Sequence, residues 1–157
     1  MNKPISSWVA ALCCTLVALL LALLSASTAW AERRVALVVG NSQYKNSNLV
    51  LFNPKNDAED VAASLRSLGF EVILSTDASR RDFDLAMTQF ARMATYADTA
   101  LFYYAGHALQ HQGQNYLMPT DAELQDEISL RYEMVSLDDV RAGLERAGGV
   151  KTMILDA

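Results

Sequence analysis

Residues 33–40 read RRVALVVG, an apolar stretch that ends at a glycine. Its centre, Val35 to Val39, is apolar on both faces, which is typical of a buried strand in a parallel sheet. A longer run of mainly apolar residues lies at Thr99 to Ala105, and further strands are predicted at 70–74 and 151–155. The sequence therefore predicts four strands that belong to one sheet.

Helical patterns separate these strands. The helix starts are marked by cap signals at Asn53-Pro54, at Ser79 with Asp82, and at Ser136 with Asp139. Glycines end the first and last of these helices, at Gly69 and at Gly148-Gly149. A hairpin at 110–118, centred on Gly113, precedes the third helix. Strands that alternate with helices predict an α/β sandwich with a mainly parallel sheet.

In a parallel sheet the carboxyl ends of the strands share one rim, where ligand sites form. The residues that reach this rim are Gly40-Asn41, Asp77, Gly106-His107 and Asp156. His107 follows a rigid apolar strand, and histidine is a residue type that suits general acid–base chemistry near neutral pH. Gly106 permits close backbone approach or an unusual φ. We therefore predict an active-site position at His107; the alternative is a structural histidine.

Several other polar residues could have a structural role instead of a functional one. Asp156 is either a charge in the cleft near His107 or a strand-end carboxylate that caps loop amides. Asp57 favours the dipole of the first helix in any case. Asp121 suits an ordinary turn, and His111 is interpreted as a solvated residue of the hairpin loop.

Motifs for several other chemistries are missing. No Glu-x-x-His arrangement supports a metal, and neither a G-x-G-x-x-G nor a P-loop motif follows the first strand. The G-x-S-x-G motif of serine hydrolases does not occur. The sequence therefore implies no metal and no cofactor.

Residues 1–31 have the features of an export signal. Lys3 precedes the apolar stretch Trp8 to Leu24, and Ala29-Trp30-Ala31 is a small-x-small cleavage site. We expect a mature chain that begins at Glu32 and is periplasmic or secreted. The alternative is an uncleaved membrane anchor, because Trp8 to Ala31 is just long enough to span a bilayer.

The remaining residues, 32–157, suffice for one domain with its own core. They carry 12 basic and 18 acidic side chains, a balance of −6. Nucleic-acid binding rests largely on basic contacts to phosphate, so this balance argues against it. Both cysteines, Cys13 and Cys14, lie in the leader. This excludes a disulfide framework and a thiolate metal site in the mature segment.

Several segments, in this order, resemble the caspase/metacaspase clan, most closely bacterial caspase-like proteins. They are Arg34–Asn41, Asn56-Asp57-Ala58, Tyr104–His107, Asn115–Ala122 and Ile154–Ala157. The resemblance extends over Arg33 to Ala157. It implies a caspase-like α/β/α sandwich that corresponds to the p20-like large-subunit region.

The same resemblance implies roles for individual residues. His107 would be the general acid–base partner of a Cys-His dyad in a cysteine-type endopeptidase. Ala108, in place of the usual glycine, would contribute a backbone amide to the oxyanion hole, although its side chain restricts φ. Asp57 and Asp156 match positions of an acidic pocket that selects Arg or Lys. The implied substrates are proteins or peptides with basic residues.

The nucleophilic cysteine of that family follows the Asp-Ala pair found here at Asp156-Ala157. Our first hypothesis is accordingly a fragment or truncated gene product of an exported caspase-like endopeptidase, inactive alone and incomplete at its C-terminal side. The second is a non-catalytic caspase-like module that binds basic peptides or a partner on the same rim. The third is a phosphate- or metal-binding domain that uses Asp77, Asp121 and Asp156.

Overall fold

The computed structural model describes residues 32–157. The predicted signal peptide or anchor at 1–31 lies outside the described residues. Among residues 32–157, no helix combines the length and the apolar character needed to cross a bilayer.

Seven strands and four helices make up the described part of the chain. The strands are β1 (Arg34–Gly40), β2 (Phe70–Thr76), β3 (Thr99–Ala105), β4 (Ala108–His111), β5 (Gln114–Leu117), β6 (Val135–Ser136) and β7 (Val150–Asp156). The helices are α1 (Pro54–Ser67), α2 (Arg80–Ala94), α3 (Ser129–Glu133) and α4 (Leu137–Leu144). A short 3₁₀ helix, Ser47–Leu49, lies in the loop after β1. The sequence did not predict α3 or β6.

The main sheet has the strand order β2-β1-β3-β7, and all its pairs are parallel. The register aligns Gly40 with Ala105, and Ala105 with Asp156. The carboxyl ends of β1, β3 and β7 are therefore level with one another. This confirms the predicted α/β fold with a mainly parallel sheet. A smaller antiparallel sheet is formed by β4, β5 and β6.

Helices cover both faces of the main sheet. Helix α1 packs on one face, against a cluster that includes Ala36, Val38 and Tyr103. Helices α2 and α4 pack on the other face, against Leu37, Tyr104 and their neighbours. Because successive side chains of a strand point to opposite faces, the part of β1 that is covered on both faces must be apolar at every position. All residues from Val35 to Val39 are fully buried.

Strand β7 corresponds to the strand predicted at 151–155. It is the outer strand of the described sheet, and it exposes Val150, Ile154 and Leu155. This edge of the described sheet is therefore apolar and exposed.

The helix starts follow the sequence signals only in part. The capping box of Ser79 and Asp82 is confirmed. Asn53 does not cap α1 with its side chain, because its own backbone is already helical (φ −99°, ψ −35°). Instead, the Ser42 hydroxyl accepts a hydrogen bond from the Lys55 N–H at 3.0 Å. At α4 the Ser136 hydroxyl accepts from the Asp138 N–H, and the predicted pairing with Asp139 is wrong.

The hairpin of β4 and β5 turns at Gln112 and Gly113, which both have positive φ (49° and 78°). Two such residues are the signature of a type I′ turn, which matches the twist of paired strands. His111 lies on β4, paired with Gln114, and is half-buried beside Glu127 at 4.0 Å. The interpretation of His111 as a solvated loop residue is therefore wrong, because the strand extends up to the turn.

Candidate active site

Asn41 ties together the loops at the carboxyl rim of the sheet. It is fully buried, directly after β1. Its Nδ2 donates to the Met118 carbonyl and its Oδ1 accepts from the Ala78 N–H, both at 2.9 Å. Its own N–H donates to the Ala105 carbonyl at 2.9 Å. The sequence singled out Asn41 only as a rim residue, and this bridging role was missed.

Gly106 makes the turn between β3 and His107. Its N–H donates to the Asp156 carbonyl at 3.1 Å, so the pairing of β3 with β7 continues to this point. Its φ is +149°, and a Cβ here would lie 2.7 Å from the Tyr44 hydroxyl and 2.8 Å from the Tyr104 hydroxyl. Only glycine fits this backbone and this approach.

His107 is held through both its main chain and its ring. Its N–H donates to the Tyr44 hydroxyl at 2.8 Å, and its carbonyl accepts from the Tyr104 hydroxyl at 2.6 Å. Its Nε2 lies 2.9 Å from the Leu49 carbonyl oxygen. A carbonyl only accepts hydrogen bonds, so Nε2 carries the hydrogen and Nδ1 of the neutral ring keeps its lone pair. The imidazole is thus fixed with Nδ1 as its basic atom.

The two tyrosines remain protonated under physiological conditions. Burial, followed by the neighbouring Tyr44, raises the pKa of Tyr104 far above its ordinary value. Burial also raises the pKa of Tyr44, although its hydrogen bonds with His107 and Tyr104 act in the opposite direction. Both hydroxyls therefore serve as neutral hydrogen-bonding groups around His107.

A cleft of about 480 Å³ opens beside His107. Its walls come from the segment before α1, the first turn of α1, the Gly106-His107 turn and the end of β7. The lining residues are Leu51, Phe52, Asn53, Pro54, Asp57, Gly106, His107, Asp156 and Ala157. The structure thus brings three of the four predicted site residues, His107, Asp57 and Asp156, to one cleft.

The cleft is acidic. Asp57 is half-buried and Asp156 is exposed. Within residues 32–157, no hydrogen bond or ion pair engages either carboxylate. Burial, followed by the charges of Asp156 and then Asp57, raises the pKa of Tyr103, so both carboxylates act on the same neighbourhood. The suggestion that the Asp156 side chain caps loop amides finds no support in the described residues.

Ala108 is the fourth predicted site residue. It is exposed at the start of β4, opposite Leu117. Among the non-glycine residues of the described chain, only Asp77 and Gln112 have positive φ. An alanine at 108 therefore causes no backbone strain. Ala108 follows His107 directly, but it lines a neighbouring groove of about 350 Å³ with Leu155 and others, not the His107 cleft.

Two of the three carboxylates of the metal- or phosphate-binding hypothesis have local structural partners. Asp77 Oδ1 accepts from the N–H groups of Ser42 and Gln43, both at 2.9 Å. Asp121 Oδ1 accepts from the Arg80 N–H at 2.7 Å. Residues 32–157 contain no group of three or more metal-ligating side chains close enough to share an ion. The third hypothesis therefore has no structural support in this part of the chain.

The contribution of Asp77 to the free energy of unfolding should depend on pH. Burial would raise the pKa of Asp77, but the Gln43 and Ser42 amides, with Lys55 at 3.4 Å, outweigh it and lower the pKa. A carboxyl whose pKa is lowered in the folded state stabilises the protein at pH values above its unfolded-state pKa. This contribution is lost as the pH falls through the folded-state pKa. Asp77→Asn, which tolerates the φ of +52°, should lower the free energy of unfolding by about 1 kcal/mol at neutral pH.

Urea unfolding of both proteins at several pH values tests this expectation. The difference between them should shrink below about pH 4, where the unfolded-state carboxyl is protonated. Asp60→Asn is the matched control, since Asp60 is exposed on α1 and has no partner within residues 32–157. A difference that stays constant from pH 7 to pH 3 would contradict the electrostatic role of Asp77.

The chain belongs to the caspase-domain family, whose family model matches residues 33–157. It is 30% identical over 92 residues to the human mucosa-associated lymphoid tissue lymphoma translocation protein 1, and equally to its mouse homologue. Each match covers 59% of this chain and 11% of the relative. The chain thus spans about a tenth of the length of these relatives.

Solved structures agree with the family assignment at the level of the fold. A protein from Geobacter sulfurreducens superimposes with a TM-score of 0.58 at 19% identity, over 78% of this chain and 48% of that one. The Drosophila initiator caspase Dronc gives a TM-score of 0.58 at 12% identity, over 77% of this chain and 46% of that one. At these identities the likeness concerns the fold alone.

Proposed function

We propose that residues 32–157 carry the acid–base half of a cysteine endopeptidase site that cleaves after Arg or Lys. One observation carries the proposal: an imidazole with a free Nδ1 lines the same cleft as two unpaired carboxylates. Membership of a caspase-like peptidase family supports the class of reaction.

In this mechanism, Nδ1 of His107 takes the proton of a thiol, and the thiolate attacks the substrate carbonyl. The resulting oxyanion is stabilised by backbone N–H groups, one of them from Ala108. The imidazolium then protonates the leaving amine, which leaves a thioester. Water hydrolyses the thioester and releases the carboxylic acid and the free thiol.

The thiol comes from outside the described residues in this proposal, because residues 32–157 contain no cysteine. Ala105 pairs with Asp156, so a residue that follows Ala157 would be level with His107. We assign the nucleophile to that position, and residues 32–157 are then inactive without it. Sequencing beyond the Ala157 codon tests the assignment: a cysteine codon is expected, and any other codon would refute it.

The acidic cleft accounts for the proposed preference for basic residues. Asp57 and Asp156 have no partner cation within residues 32–157, so an Arg or Lys side chain would neutralise charges that the fold leaves free. A guanidinium can also form paired hydrogen bonds with a carboxylate, which adds geometric selectivity.

Matched fluorogenic peptides test the proposed function directly. They should differ only in having Arg, Lys or Asp before the scissile bond, and the protein assayed must include the residue after Ala157. We expect cleavage after Arg and Lys but not after Asp, and complete inhibition by iodoacetamide. Binding of the basic peptides without turnover would favour the non-catalytic module instead. If the basic peptides are neither bound nor cleaved, both functions are refuted.

A further inference from the structure

The loop between β1 and α1 provides two of the groups that fix the orientation of His107. Tyr44 accepts the His107 N–H, and its ring lies at a tilt of 52° to the imidazole, with the ring centroids 4.9 Å apart. The Leu49 carbonyl accepts the Nε2 hydrogen. Together these contacts determine where Nδ1 points.

Of the two tyrosine hydroxyls that contact His107, only that of Tyr104 shares its role with another group. The His107 carbonyl, which accepts from Tyr104, also accepts from the Met118 N–H at 3.0 Å. The His107 N–H has no acceptor other than Tyr44 within residues 32–157. Tyr44 is itself 5% exposed and packs in a cluster with Met118 and Leu130, so its hydroxyl has a fixed position.

We propose that Tyr44 is a positioning residue for His107, acting through the main-chain N–H and the face of the imidazole. The inference rests on the proposed acid–base role of His107. It explains why glycine precedes the histidine: a side chain at 106 would collide with the same hydroxyl. Loss of the hydroxyl frees the turn at His107, and the ring then no longer keeps Nε2 on the Leu49 carbonyl. General acid–base catalysis depends on such placement.

Tyr44→Phe tests the proposal, since it removes one oxygen and preserves the ring. Nitrogen-15 spectra of the full chain report the tautomer of each imidazole, and the chain has only two histidines. We expect a single Nε2–H form of neutral His107 in the wild type and a mixture of the two tautomers in Tyr44→Phe, with faster exchange of the His107 amide. Tyr116→Phe is the matched control, because Tyr116 packs in the same cluster without a hydrogen bond to His107.

In the protein that includes the thiol, Tyr44→Phe should lower kcat about tenfold with little change in KM. Unchanged His107 spectra in Tyr44→Phe, or equal changes in Tyr116→Phe, would overturn the proposal and leave Tyr44 as a packing residue. The spectra need no thiol and no substrate. A protein that cleaves nothing but shows the expected change in tautomer would therefore refute the proposed function and not the role of Tyr44.

Discussion

His107→Ala should reduce kcat for an Arg peptide about 10³-fold in the protein that includes the thiol. The variant removes the group that activates the thiol and protonates the leaving amine, and such acid–base groups contribute roughly 10²–10⁴-fold. Cleavage of matched Arg peptides under saturating substrate measures the effect. The substituted side chain is only half-buried, so a large loss of folding is not expected.

His111→Ala provides the control for this experiment. It removes the only other histidine of the chain, also half-buried, from the far end of β4. His111 does not line the cleft beside His107, so kcat should remain within twofold of the wild type, a roughly negligible change in barrier. Equal losses in the two variants, or a loss below tenfold in His107→Ala, would argue against His107 as the acid–base group.

The location of His107 could be predicted because the strand that precedes it can be recognised from its local sequence. The run Thr99 to Ala105 is mainly apolar, and the structure gives β3 the same bounds. Parallel pairing then brings the residues after β3 and β7 to one rim, which is a matter of topology and not of local sequence. The prediction that Asp156 lies near His107 followed from this rule.

The residues that hold His107 could not be predicted in the same way. Tyr44 and Leu49 are 63 and 58 positions from His107 along the chain, in the loop between β1 and α1. Ser42 likewise caps α1 from 13 residues away, where the sequence pointed to the adjacent Asn53. Sequence periodicity reports local elements, whereas these hydrogen bonds depend on how the loop folds back across the rim. The one available signal was Asn41, a polar residue placed directly after a fully buried strand.

The two cleft carboxylates should control both specificity and the ionisation of a neighbouring tyrosine. Asp57→Asn and Asp156→Asn should each lower kcat/KM for Arg peptides about tenfold, and together about 100-fold, since a hydrogen bond to a charged group is worth roughly 1.5–3 kcal/mol. A peptide with a neutral residue at that position should be much less affected. Equal losses on basic and neutral peptides would contradict the specificity role.

The ionisation of Tyr103 tests the same charges without any substrate. Negative charge nearby favours the neutral phenol, so the carboxylates of Asp156 and Asp57 add to the effect of burial in raising the pKa of Tyr103. Removing either charge should lower that pKa toward its ordinary value, which NMR titration of the assigned tyrosine resonance measures. Asp60→Asn, one turn further along α1, should leave it unchanged. If the Tyr103 pKa were the same in all four proteins, the carboxylates would not act on the cleft together, and the acidic pocket would lose its physical basis.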